Sequence, residues 1–216
     1  MNANSRRQQH KLRLRRVILD AAGEIFVRDG YEKFSMRRLA VKIGYSPGSV
    51  YLHFKSKEEL FDRLIEESFA RLHKSLTDLG HGHDRPDGVE ELRQGMRVYI
   101  DFGLRHPNDY RFAFMLRRPV ERRPYKVHPA FAVLRRMVER CVDEKLFGPV
   151  DVDSTSQTLW STAHGITSLL IQRPDFPWAP RKTLIAQVIS TAINGLLAES
   201  KTKAAGTRRH ASSHRQ

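Results

Sequence analysis

The twenty residues from Ser35 to Phe54, Ser-Met-Arg-Arg-Leu-Ala-Val-Lys-Ile-Gly-Tyr-Ser-Pro-Gly-Ser-Val-Tyr-Leu-His-Phe, leave the chain few folds to choose from. Ser35 suits an N-cap, its hydroxyl accepting a bond from a backbone N–H that the first turn leaves unpaired. Leu39, Ala40 and Ile43 then share one face at helical spacing. Gly44 follows at once, where a helix needs a left-handed residue to stop, and Tyr45 covers the turn. Ser46 offers a second N-cap, and Pro47 stands at the first helical position, where its missing N–H costs nothing. Val50 and Phe54, four apart, point inward. The pattern predicts two short helices joined by a tight turn, a helix-turn-helix unit.

Charge is divided along the chain in a way that bears on this unit. The formal net charge is +14. Residues 1–57 hold 13 Lys and Arg against 4 Asp and Glu, residues 58–200 hold 20 against 20, and residues 201–216 hold 5 against none. A basic surface needed only for solubility would not leave the middle neutral. A polyanion partner for the helix-turn-helix end explains the division better, and a helix-turn-helix places its second helix in the DNA major groove.

Around this unit the sequence reads as all-α. Arg6 to Arg16 is a basic arm leading into a helix marked by Val17, Ile18, Ala21, Ala22, Ile25 and Phe26, which Asp29-Gly30 ends. The arm is suited to an adjacent minor groove or to phosphates, and equally to a frayed terminus. Ser56-Lys57-Glu58-Glu59 forms a capping box, with Ser56 bonding the N–H of Glu59 and Glu59 reaching back to Ser56. It starts a fourth helix over 57–79 that links a DNA-binding domain, 1–57, to a helical domain over 80–200. His81, His83 and Asp84 sit in a Gly- and Pro-containing loop, read as a polar linker rather than a metal site. Further helices are marked by Leu92 to Leu104, by the segment after His106-Pro107, by Phe131 to Leu146 ending at Gly148-Pro149, by Leu159 to Leu170 behind a Ser154–Gln157 capping box, and by Leu184 to Leu197. Arg117 to Pro129 reads as a loop, and 201–216 as a disordered basic tail. Cys141, the single cysteine, excludes an internal disulfide and a Cys-x-x-Cys zinc site. No metal or cofactor fingerprint appears. The amino terminus lacks the apolar region of a signal peptide, and no apolar run reaches the roughly 18 residues of a membrane span, so a cytoplasmic protein without a membrane partner is expected.

From Val17 to Leu64 the chain resembles the DNA-binding domain of the tetracycline-repressor (TetR) family. The residues that carry the likeness are the capping Ser35, the basic pair before Leu39-Ala40, and Gly44-x-Ser46-x-Gly48-x-Val50-Tyr51-x-His53-Phe54-Lys55-x-Lys57-x-x-Leu60. Trp160, His164 and Gly165, with His106-Pro107 and Tyr110 upstream, resemble more loosely a carboxy-terminal domain type of that family named for Trp-His-Gly. The resemblance implies a transcriptional regulator, usually a repressor, that binds a palindromic operator in double-stranded DNA as a homodimer and is released by a small-molecule effector. The last two helices, apolar on more than one side, are the expected dimer surface.

The resemblance further implies that Tyr51 and His53 meet phosphate and base edges, although Tyr51 also suits a core position and His53 a plain surface one. Ser46 and Ser49 offer hydroxyls, Gly48 lets the backbone approach the duplex, and Pro47 and Leu52 suit a thymine methyl. Arg37 is the candidate for guanine O6 and N7, Arg38 for the backbone, and Ser35 and Lys57 for phosphates that fix register. Lys57 stands in the first turn of its helix, where positive charge opposes the helix dipole unless a phosphate is near. For the effector, Tyr99, Phe102, Tyr110, Phe112, Phe114, Met115, Phe131, Met137 and Trp160 supply pocket-like side chains, each equally suited to a core, and His164 offers one polar contact. Two rival readings remain: an architectural DNA binder without sequence preference, and an enzyme with an unrecognised site. No nucleophile, base and orienter share a recognisable spacing, which weighs against the enzyme.

Overall fold

The computed structural model describes residues 3–81, 86–116 and 127–212, with side chains over 5–79, 86–116 and 127–197. Among them there are nine α-helices and no strand: α1 Ala3–Asp29, α2 Met36–Ile43, α3 Pro47–Tyr51, α4 Lys57–Thr77, α5 Gly88–Arg105, α6 Pro107–Tyr110, α7 Pro129–Asp143, α8 Val152–Gln172 and α9 Arg181–Ser212. A 3₁₀ turn at Asp78–His81 follows α4, and a π-helical turn at Arg111–Met115 follows α6. No helix among the described residues is long and apolar enough to cross a membrane.

The chain divides into two compact units, residues 1–70 with 106–125, and residues 71–105 with 126–216. The division falls inside α4. The segment after His106, expected in the larger helical domain, belongs to the first unit. The reason is Phe112. It is 3% exposed and completes an aromatic core with Phe26 and Phe61, at ring separations of 6.3 and 5.9 Å. Phe26 also stacks on Phe34 at 4.0 Å, and Ile18, Ala22, Leu39, Val50, Phe54, Leu60 and Leu64 close the same core.

In the second unit α5, α7, α8 and α9 pack around Leu92, Met96, Ile100, Val138, Leu159, Ile189 and Ile193. Gly95 lets α5 and α7 approach closely, since a Cβ there would lie 2.7 Å from Met137 Sδ. Arg140 of α7 reaches Glu91 and the Pro86 carbonyl, and Glu144 accepts the Gly88 N–H at 2.7 Å. These bonds fasten the start of α5 to α7, and the Gly88 N–H holds the Glu144 carboxyl below its usual range. Cys141 is buried in this core, which pushes its thiol up to about 12, so it is an inert packing residue.

Several local expectations are corrected. The basic arm over Arg6–Arg16 is helical, because α1 starts at Ala3. Helix α7 stops at Asp143, not at Gly148, with Lys145 taking the left-handed position at φ 58. Helix α8 is capped by Asp151, which accepts the Ser154 N–H at 2.7 Å, so Ser154 lies inside the helix it was expected to cap. The Glu59 carboxylate reaches the N–H of Lys55 rather than that of Ser56, while Ser56 accepts the Glu59 N–H as expected. The backbone of α9 runs helical past Lys201 to Ser212, where an unordered tail was expected; Ala, Lys and Arg are good helix formers. The His83-Asp84 pair and most of the Arg117–Pro129 loop lie outside the described residues.

Candidate nucleic-acid interface

Local hydrogen bonds build the reading unit as its residues require. Ser35 accepts the Arg38 N–H at 3.2 Å and starts α2. Gly44, at φ 71, ends it, and the N–H groups of Gly44 and Tyr45 return to the carbonyls of Val41 and Ala40. This is the left-handed stop that a residue with a Cβ enters only at a cost. Ser46 accepts the Ser49 N–H at 3.1 Å, with Pro47 at the first position of α3. The two hydroxyls of Ser46 and Ser49 also pair with each other at 2.9 Å, so reading DNA through them requires that bond to open or to be shared.

Helix α3 has five residues and buries only Val50. Pro47, Gly48, Tyr51 and Leu52 are exposed, Tyr51 at 50% and Leu52 at 83%, and Ser49 is half-buried. The core alternative for Tyr51 is therefore excluded by its exposure. Arg37 of α2 is exposed and makes no bond among the described residues. Arg38 is differently placed: its guanidinium bonds Asp29 at 2.7 Å and the Lys33 carbonyl at 2.9 Å, tying α2 to the end of α1. Arg28 first, and Arg38 with it, lower the Asp29 carboxyl to about 2. Arg28, Arg37, Arg38 and Lys42 line a basic surface cleft of about 430 Å³ between α1 and α2, with Ile25 and Val41. Val41 is 81% exposed, an apolar side chain on this face that sequence reasoning did not single out.

His53 lies in the turn after α3, half-buried, with its Nδ1 buried and unbonded. Burial first, then the like charges of Lys11, Arg15 and His10, hold its imidazole below the usual range, so it is neutral at pH 7. Arg15 falls within the expected basic arm. It donates to the His53 carbonyl at 3.0 Å and lies 4.1 Å over the Phe54 ring. It thereby satisfies a carbonyl at the end of α3 and fixes that end to α1. Lys57 sits 4.3 Å over the Tyr31 ring, and Tyr31 donates its hydroxyl to Glu58 at 2.8 Å. Tyr31 was also missed; no local spacing reveals a ring 26 residues upstream of the lysine it supports.

The residues proposed for an effector do not gather in one unit. Tyr110, Phe114 and Met115 belong to the first, where Phe114 meets Phe69 edge-on at 5.2 Å and Tyr110 is fully buried. Phe102, Phe131, Met137, Trp160 and His164 belong to the second. There Trp160 Nε1 donates to the Tyr99 hydroxyl at 3.1 Å, and that hydroxyl lies 3.3 Å from His164 Nδ1. Phe131 packs edge-on against Trp160 at 6.0 Å. Burial lowers the His164 imidazole from its usual range.

This geometry has matches among known proteins. Residues 18–64 match the family described as bacterial regulatory proteins, tetR family, and residues 92–192 match a tetracyclin repressor-like C-terminal domain. A relative from Bacillus subtilis (strain 168), named as an uncharacterized HTH-type transcriptional regulator YfiR, is 31% identical over 150 residues, covering 66% of this chain and 72% of the relative. The chain belongs to the TetR family. It is a DNA-binding transcriptional regulator, and that membership sets the enzyme reading aside. The HTH-type transcriptional repressor AcnR of Corynebacterium efficiens is 34% identical over 82 residues, 38% of this chain and 39% of that one. The fold is shared with a TetR-family regulatory protein from Rhodococcus RHA1 at TM-score 0.67 and 18% identity, over 84% of this chain and 96% of that chain. It is also shared with the MbdR regulator from Azoarcus sp. CIB at TM-score 0.67 and 18% identity, over 84% and 97%.

Proposed function

We propose that this TetR-family regulator is a repressor that reads a palindromic operator as a homodimer and leaves it when a small molecule binds the second unit. The observation that carries the DNA reading is the short α3, whose inner side holds one buried residue while Tyr51 and Leu52 stand in solvent, with Arg37 of α2 exposed as well and making no bond among the described residues. One such helix reads a half-site, so selectivity requires two held about one helical turn apart. Arg37, Tyr51, Leu52, Gly48, Pro47 and Ser49 are the groups placed to meet base edges or the adjacent backbone. Ser35 and Lys57 fix register through phosphates. Arg38 acts mainly on the fold, through Asp29.

For the dimer, α8 and α9 offer an open side. A Cβ added at Gly165 or Gly195 would meet nothing within 4 Å, and Leu169 is 48% exposed. Small residues beside an exposed leucine suit close approach by the same helices of a second copy. For the effector, the Tyr99–Trp160–His164 hydrogen bonds supply polar groups beside the Phe131 ring. The link to DNA runs along the chain. Helix α5 ends at Arg105, and the next residues enter the core of the DNA-binding unit through Phe112. A ligand that binds better to a conformer poor at binding DNA lowers DNA affinity by the same coupling.

Selection of duplexes from a random pool tests the reading. An inverted repeat, bound by two protomers and at least a thousandfold more tightly than random DNA at physiological salt, is the expected result. Binding of every sequence alike would establish the architectural alternative instead.

A further inference from the structure

Residues 6–13, in the first three turns of α1, are exposed throughout. From Ile25 back to Leu14 this helix turns a buried stripe to the core: Ile25, Ala22, Ile18 and Leu14, at steps of three and four. The next two positions of the same stripe, by the same steps, are Lys11 and Arg7, and both are exposed. The inward face of α1 thus runs past the end of the core and changes there from apolar to cationic. Arg6 and Arg13 occupy the opposite, outward side. No acidic residue precedes Asp20, and Arg6, Arg7, Lys11 and Arg13 have no ion-pair partner among the described residues. Arg6 and Arg7 also stand near the positive end of the helix dipole, an arrangement that an anion relieves.

The overhang has a fixed place beside α3. Arg15, one turn after Lys11, holds the carbonyl of His53 at the end of α3. Lys11 and His10 are close enough to His53 to disfavour its protonation. From Arg15 back to Arg7 the helix rises about 12 Å, comparable to the width of the major groove, about 12 Å. The minor groove is only about 6 Å wide, whereas a helix with its side chains is about 10–12 Å across, so a helical segment cannot thread it as an extended arm does.

We propose that the overhanging face of α1, through Arg7 and Lys11, is a second DNA-binding element, a rigid cationic rail along the phosphates bordering the groove that α3 enters. This rests on the DNA reading above and adds the partner surface that α1 recognises: backbone phosphates, without base readout. The rail adds affinity and salt dependence equally on every sequence, and leaves the preference among sequences to α2 and α3.

The test compares two double variants of equal charge loss, R7A/K11A on the inward stripe and R6A/R13A on the outward one. Each is titrated with salt against the duplex selected by the parent protein and against a random duplex of the same length. All four positions are exposed, and Ala favours helix, so both variants keep the fold. Each phosphate contact contributes about −0.9 to the slope of log affinity against log salt. For R7A/K11A the slope should flatten by about 1.8 per bound protomer on both duplexes, with the ratio between them unchanged, while R6A/R13A stays within about 0.5 of the parent. Equal flattening in both variants, which would mean diffuse attraction, overturns the rail, and so does no flattening in either. A parent that fails to distinguish the two duplexes overturns the sequence-specific reading instead; the difference between the variants still decides the rail.

Discussion

Replacing Phe112 with alanine separates the two ways of placing the segment after α5. The side chain is 3% exposed and sits between Phe26 and Phe61, within 4 Å of where a Cβ on Gly23 would lie. A buried phenylalanine removes about 150–250 Å² from water, which at about 25 cal/mol per Å² corresponds to about 4–6 kcal/mol for the whole residue. Truncation to alanine keeps the Cβ but opens a cavity, and such changes cost about 3–5 kcal/mol. The lower end is expected here, because Leu116 packs beside the core only partly buried and can move in. At about 1.4 kcal/mol per factor of ten, 3 kcal/mol is about a hundredfold. Amide hydrogen exchange read by mass spectrometry resolves where the loss falls. Peptides from the buried stretches of α1, α2 and α4 should exchange about a hundredfold faster in F112A, while peptides from α7 and α8 keep their rates. Both tryptophans, Trp160 and Trp178, lie in the second unit, so tryptophan fluorescence offers an independent record of it. Unchanged protection in α1 and α4, with faster exchange confined to α7 and α8, would refute the assignment of Phe112 to the DNA-binding core.

Arg37→Ala should cost about 1–3 kcal/mol on the selected operator and relax preference at one base pair of each half-site, whereas Arg38→Ala should chiefly lower stability by freeing Asp29; competition binding on operator variants and thermal melts distinguish them. Gly44→Ala places a Cβ at φ 71 with open space around it, so it costs only backbone strain, about 1 kcal/mol, seen as a shift in urea midpoint without change in slope. Burial lowers the imidazoles of His53, His128 and His164 from the ordinary 6.5, so the folded chain binds fewer protons than the unfolded chain just below that pH. Their contribution is complete above pH 6.5 and is lost as pH falls toward their folded values. Urea unfolding at pH 7.5 and 5.5 should show lower stability at the acid value, with the difference reduced in His164→Gln; a His164→Gln chain with the parent's pH dependence would refute the assignment of that histidine.

What the sequence made readable, and what it hid, follows the distance between interacting residues. Ser35 with Arg38, Ser46 with Ser49, and Gly44 with its own turn are each settled within one helical turn, so residue type and spacing identify them. The supports of that unit are remote. Arg38 reaches Asp29 nine positions away, Tyr31 reaches Glu58 across 27, and Arg15 reaches His53 across 38. A basic residue in a basic stretch carries no mark of which carbonyl it will meet, so the sequence places Arg15 only within a basic arm. Phe112 was hidden differently. An aromatic residue at helical spacing declares that it is buried, not in which of two cores. Ser154 and Asp151 are both good N-caps three residues apart, and the hydrogen bond alone decides for Asp151.

Those remote supports explain how a reading helix of five residues can be rigid at all. A helix this short is far below the roughly 12–15 residues at which an isolated helix becomes marginal in water, and α3 has a single buried side chain with which to pack. Its position must come from outside: Ser46 at one end, Arg15 at the other, and Phe54 in the core behind. Arg15 belongs to α1, and α1 carries Phe26, whose ring is shared by Phe34 just before the α2 cap and by Phe112 just after α5. The residues that hold α3 therefore pack on the same ring as Phe112, which reaches this core from the segment after α5. A well-packed cluster has few ways to give, so a displacement of Phe112 is passed to Phe26 rather than absorbed. The ring that completes the core of the first unit is thus carried by the segment that follows α5 in the chain.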